Sequence, residues 1–152
     1  MFDPWHQIRV MDPESPRSNR SRSVKPEKGK STRRKAIVLV VDDEHLIADT
    51  LTEILKRSGF DALCAYDGRA ALEIALRINP DIVLTDVVMP HMNGIQLAIA
   101  VRKALPLAEI ILLSGQAAVS DMVERGRRDG HDFELMAKPI HPEKLLQRLR
   151  HS

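Results

Sequence analysis

Ile37-Val38-Leu39-Val40-Val41 runs directly into Asp42-Asp43-Glu44. A continuous run of β-branched and Leu residues marks a strand buried on both faces, and such strands belong to parallel sheets covered by helices. Residues 45–58 follow with Ile47, Leu51, Ile54 and Leu55 at helical spacing, and Gly59 stops that helix. The same unit then repeats. A weaker strand is predicted over 60–65 and a helix over 68–78, with Ala71, Ile74, Ala75 and Ile78 on one face. Pro80 precedes a strand over 81–85, and a helix over 93–104 carries Leu97, Ala98 and Val101. A strand over 109–113, a poorer helix near 117–128 and a strand near 132–137 come next. Pro142 opens the last helix, where proline suits the first helical position, and Leu145, Leu146 and Leu149 face inward. Five successive βα units predict a doubly wound α/β domain, with a parallel sheet between two layers of helices.

Parallel strands bring their carboxyl ends to one edge, where open α/β sheets bind ligands. Polar groups stand at four of these ends: Asp42 and Asp43 after the first strand, Asp86 after the third, Ser114 after the fourth and Lys138 after the fifth. Carboxylates brought together repel, and a divalent cation resolves the repulsion. Mg²⁺ prefers a few carboxylates, water and phosphate oxygen. Lys138 supplies a point charge for a phosphate, and Ser114 a hydroxyl donor. These groups together read as a phosphoryl site with an aspartate nucleophile.

The bulk composition sets the remaining bounds. Of the 152 residues 43% are hydrophobic but only 3% aromatic, so the core must be built from Leu, Ile, Val and Ala. One cysteine, Cys64, excludes an internal disulfide and reads as a packed thiol. No apolar run approaches the roughly 20 residues of a membrane span, and no secretory signal is visible, so a cytoplasmic protein is expected. The net charge of +2 hides an asymmetry. Residues 1–35 hold ten basic and four acidic residues, a net +6, while the other 13 basic and 17 acidic residues leave −4. With Pro4, Pro13, Pro16 and Pro26 and no apolar periodicity, residues 1–35 are expected to be a disordered basic tail, and 36–152 the folded domain. A short basic run without interleaved aromatics is a weak basis for nucleic-acid binding, so that partner is not expected.

Val40-Val41-Asp42-Asp43-Glu44 resembles the opening of a two-component response-regulator receiver domain. Asp86-Val87-Val88-Met89-Pro90-His91-Met92-Asn93-Gly94 is similar to that family's phosphoacceptor segment. Ser114 falls at its switch Ser/Thr and Lys138-Pro139 at its Lys-Pro. The resemblance spans about residues 36–151 and implies a flavodoxin-like sheet of order 2-1-3-4-5. It implies a phosphoryl group received on Asp86 from a sensor histidine kinase or a histidine phosphotransfer protein. Asp43, Asp86 and the Val88 carbonyl would ligate Mg²⁺, with Asp42 acting through water. Lys138 would pair with the phosphoryl group and precede a cis bond to Pro139, and Ser114 would move toward the group. A stand-alone receiver of the chemotaxis type is expected, signalling to a downstream protein and not acting as an enzyme on an external substrate.

Some positions depart from that pattern. The family commonly has an aromatic residue three before the lysine, where this chain has Leu135; Phe133 lies two residues earlier on the same face. Either both are packing residues or Phe133 takes the switching role. Val88 would restrict the hydrolytic water and Gln116 would orient one, so phosphoryl lifetime stays open. His45 and His91 read as loop histidines. Arg125, Arg127 and Arg128 form a basic cluster on the fourth helix. An adaptor that binds without phosphorylation, a nucleic-acid binder acting through the tail, and a Mg²⁺-dependent phosphatase are the rival classes.

Overall fold

The structure, a computed structural model, describes residues 34–115 and 119–152. Apart from Arg34 and Lys35 the expected tail lies outside them, as does Gln116. Five strands, β1 (Ile37–Val41), β2 (Asp61–Ala65), β3 (Ile82–Asp86), β4 (Glu109–Ser114) and β5 (Glu134–Ala137), alternate with five helices. The helices are α1 (His45–Arg57), α2 (Gly68–Ile78), α3 (Gly94–Ala104), α4 (Val119–Arg128) and α5 (Pro142–Arg150). All strand pairs are parallel and the order is β2-β1-β3-β4-β5, as the resemblance implied.

Alternation along the strands sorts the core into two layers. Leu39, Val41, Val83 and Leu112 pack with Ala71, Ala75, Leu97 and Val101 on the side covered by α2 and α3. Val38, Val40, Leu84, Ile111 and Leu113 pack with Leu51, Leu55, Leu145 and Leu149 on the side covered by α1 and α5. With no side exposed, β1 and β3 lose the alternating polar residues of a half-buried strand, which is why their runs are continuous.

Local chemistry sets the helix ends near the site. The Asp67 side chain accepts from the Ala70 amide at 2.7 Å and starts α2. Asn93 and Gln96 form a reciprocal capping box at 2.8 and 3.0 Å that starts α3 immediately after the β3 loop. Asp86 and Ser114 are the last residues of β3 and β4, one residue later than the expected strand ends. β5 is shorter than expected: Phe133 precedes it, buried in the α2–α3 core, whereas Leu135 is 44% exposed.

Candidate functional site

The register brings the polar strand ends to one edge. Val41 pairs with Thr85, Asp86 with Leu113, and Ser114 with Ala137, so Asp42, Asp86, Ser114 and Lys138 follow one another across four adjacent strands. Among the described residues, Asp42, Asp43 and Asp86 can each offer a carboxylate oxygen with all three within 4.8 Å of one another. Asp42 is fully buried, Asp86 nearly so, and Asp43 exposed.

Lys138 reaches into this cluster from the end of β5. Its Nζ donates to Asp42 Oδ2 at 3.0 Å and lies 3.3 Å from Asp86 Oδ2. The other Asp42 oxygen accepts from the Glu44 amide at 3.0 Å. The Lys138 amide donates to the Ser114 carbonyl at 2.7 Å, which ties the lysine to the end of β4; its peptide to Pro139 is cis. Burial raises the Asp86 carboxyl above its ordinary value; the Lys138 charge opposes this and Asp42 reinforces it. Burial alone would lower the lysine, but its bonds to Asp42 and the charge of Asp86 outweigh that and leave it raised.

The raised Asp86 makes a signed prediction. Its folded form holds a proton more tightly than the unfolded chain does. Folding stability therefore falls as pH rises from 3.8 through the folded value, and the penalty is fully present above it. Asp86→Asn removes the penalty, so the metal-free variant should melt higher than the parent at pH 7. The gain should vanish as pH falls to about 4. Thermal melts across that range check this; a gain that grew toward acid would contradict it.

The backbone around Asp86 is as constrained as the side chains. Gly94, the first residue of α3, donates its amide to the Val87 carbonyl at 2.9 Å. A Cβ there would lie 2.1 Å from the Asp86 carbonyl oxygen, so Asn93-Gly94 combines a helix cap with a close approach only glycine permits. His91, in the same loop, takes a left-handed φ of 67°. It does not join the acidic cluster, and neither does His45, whose ring stacks on Tyr66 at 3.8 Å. Tyr66 in turn donates to Asp49 at 2.6 Å, which raises its hydroxyl pKa, with Cys64 alongside. The thiol is half-buried there, beside the α1–α5 core rather than fully inside it.

Sequence reasoning missed a groove beside the site. It holds about 390 Å³ and runs between α1 and the turn after β5, lined by Leu46, Ile47, Ile54, Ile140 and, at the site end, Lys138 and Pro139. Leu46 is 79% exposed. An apolar residue on the outer face of α1 was the signal available in the sequence.

Solved structures similar to this one carry the same architecture. Chemotaxis protein CheY4 of Vibrio cholerae is 31% identical, with 78% of this chain and 98% of that one covered and a TM-score of 0.69. A CheY-like receiver domain protein of Methanospirillum hungatei is 25% identical over 78% and 93% of the two chains, with a TM-score of 0.70. A receiver domain protein of Clostridium thermocellum is 27% identical over 76% and 92%, with a TM-score of 0.69. Residues 38–150 match the family model of the response regulator receiver domain, and the chain belongs to that family, the phosphoacceptor module of two-component systems.

Proposed function

We propose that this receiver takes a phosphoryl group from a phosphohistidine on a sensor kinase or phosphotransfer protein onto Asp86, with Mg²⁺ bound, and signals to a downstream protein. The observation that carries the reading is the convergence of three carboxylates, two of which, Asp42 and Asp86, pair with the half-buried Lys138. An all-oxygen donor set suits a hard cation that keeps several waters. Asp43, Asp86 and the Val88 carbonyl would hold Mg²⁺, with Asp42 acting through water and kept in place by Lys138 and the Glu44 amide. The ion would neutralise the oxygens of the transferring group. Asp86 attacks phosphorus as the bond to the histidine nitrogen breaks. Lys138 then exchanges its carboxylate partner for the new phosphoryl oxygens, and Ser114 donates to one of them. In this reading residues 36–152 form the receiver, and the basic segment 1–35 takes no part in the chemistry.

The groove beside Lys138 supports a protein donor, because a small acyl phosphate has no use for an apolar footing on α1. Leu46→Arg should slow transfer from a phosphohistidine protein by about tenfold, equivalent to 1.4 kcal/mol, with transfer from acetyl phosphate unchanged. Phosphoryl transfer followed with both donors, with and without a chelator, tests the proposal. Mg²⁺-independent transfer would remove the metal from it, and equal slowing with both donors would remove the docking role of the groove.

A further inference from the structure

Helix α3 touches the site at one end and the approach to β5 at the other. Its first residue, Gly94, rests against the Asp86 carbonyl. Eight residues further along the helix, about 12 Å, Arg102 grips the loop that leads into β5. The guanidinium carbon lies 4.3 Å from the centre of the Phe133 ring, and Nη1 donates to the Asp132 carbonyl at 2.8 Å. Phe133 is 5% exposed and packed in the core that contains Leu97 and Val101 of α3. Helix α4 holds the same loop: the His131 amide donates to the Gly126 carbonyl at 2.8 Å, and Arg127 Nε lies 3.3 Å from Asp132 Oδ1. From this loop β5 runs back to Lys138, which contacts Asp86. The contacts close a ring: Asp86, α3, Arg102, the 129–133 loop, β5, Lys138 and Asp86 again.

We propose that Arg102 is the positioning residue that closes this ring, so that a change at Asp86 reaches the C-terminal end of α4 through α3 and the 129–133 loop. The proposal rests on Asp86 being the phosphoacceptor. A group added to Asp86 loads both ends of the ring together: Lys138 shifts to the new oxygens, and the backbone beneath Gly94 carries the modified side chain. Planar stacking and a directed hydrogen bond make the Arg102 grip stiff in a way a lysine cannot reproduce. Phe133 is then a fixed anchor under Arg102, and the exposed Leu135 is not the transmitter.

Beryllofluoride, which mimics an aspartyl phosphoryl group, separates the two parts of the proposal. Bound ¹⁹F resonances in the presence of Mg²⁺ report occupancy of Asp86, and amide hydrogen exchange reports the loop. In the parent, occupancy should change exchange across residues 126–134 by about threefold or more. In Arg102→Ala the bound resonances should persist while that response is lost, and Arg102→Lys should restore only part of it. Should Arg102→Ala fail to fold, Phe133→Leu, which keeps the burial and removes the ring, makes the same comparison. A parent-like loop response in a variant that binds beryllofluoride would overturn the role of Arg102. Absence of bound resonances in the parent would instead overturn the phosphoacceptor reading, and this proposal with it.

Discussion

Lys138→Ala should destabilise the metal-free protein by about 2–4 kcal/mol at pH 7, and Mg²⁺ should restore more stability to the variant than to the parent. Breaking a buried ion pair leaves an uncompensated charge and costs roughly 3–5 kcal/mol; an edge open to solvent on one side lowers that by about 1 kcal/mol. Asp42 is fully buried and would keep only the Glu44 amide as a partner. Nearby Asp86, already raised by burial, would lose the charge that opposes the rise. The lysine is raised in the fold, so its contribution is complete below 10.5 and is lost as pH rises through the folded value. The two proteins should therefore differ most from neutral pH to about 10 and converge in stronger alkali. Denaturant unfolding with and without Mg²⁺ checks this, and an Mg²⁺ effect no larger in the variant would contradict the pairing.

Gly94→Ala should cost about 2–3 kcal/mol and also slow phosphorylation. At most helix positions this exchange is favourable by up to about 1 kcal/mol. Here the new Cβ would meet the Asp86 carbonyl oxygen at 2.1 Å, and the Asp86 carbonyl carbon and Val87 Cα at 2.9 Å. All three are backbone atoms, so the clash cannot be relieved by turning a side chain, and overpacking of this kind costs roughly 1–3 kcal/mol. Relief must come from moving the Asp86–Val87 backbone or the start of α3. Either shifts Asp86 relative to Lys138, so stability and phosphorylation should fall together. Chemical denaturation and the phosphorylation rate of one preparation test the link; a destabilised variant with parent-like rate would break it.

The fold was legible because its central strands, β1, β3 and β4, are buried on both faces. Val38–Val41 and Ile82–Leu84 have no solvent side to require polar residues, and the intervening helices repeat at the period of one covered face. The polar strand ends were legible for the same reason, since a charge directly after a buried run stands out. Less visible was what depends on close approach. Asn93-Gly94 was identifiable as a motif, but its contact with the Asp86 carbonyl is a property of the folded backbone. The start of β5 was overextended because Phe133 continues the apolar pattern. In the fold it is claimed by the α2–α3 core and by Arg102, thirty-one residues away in sequence, before the strand begins. Long-range cation–aromatic contacts leave no local periodicity to read. The α1 groove was hidden likewise, because Leu46 gains its meaning only beside Ile140 and Pro139.

Intact mass after incubation with Mg²⁺ and acetyl phosphate tests the central claim most directly. The parent should gain about 80 Da, one phosphoryl group, in a form labile to hydroxylamine, and the gain should be absent in Asp86→Asn and without Mg²⁺. An unmodified parent, or an Asp86→Asn variant that still gains the group, would contradict the assignment of Asp86 as the phosphoacceptor.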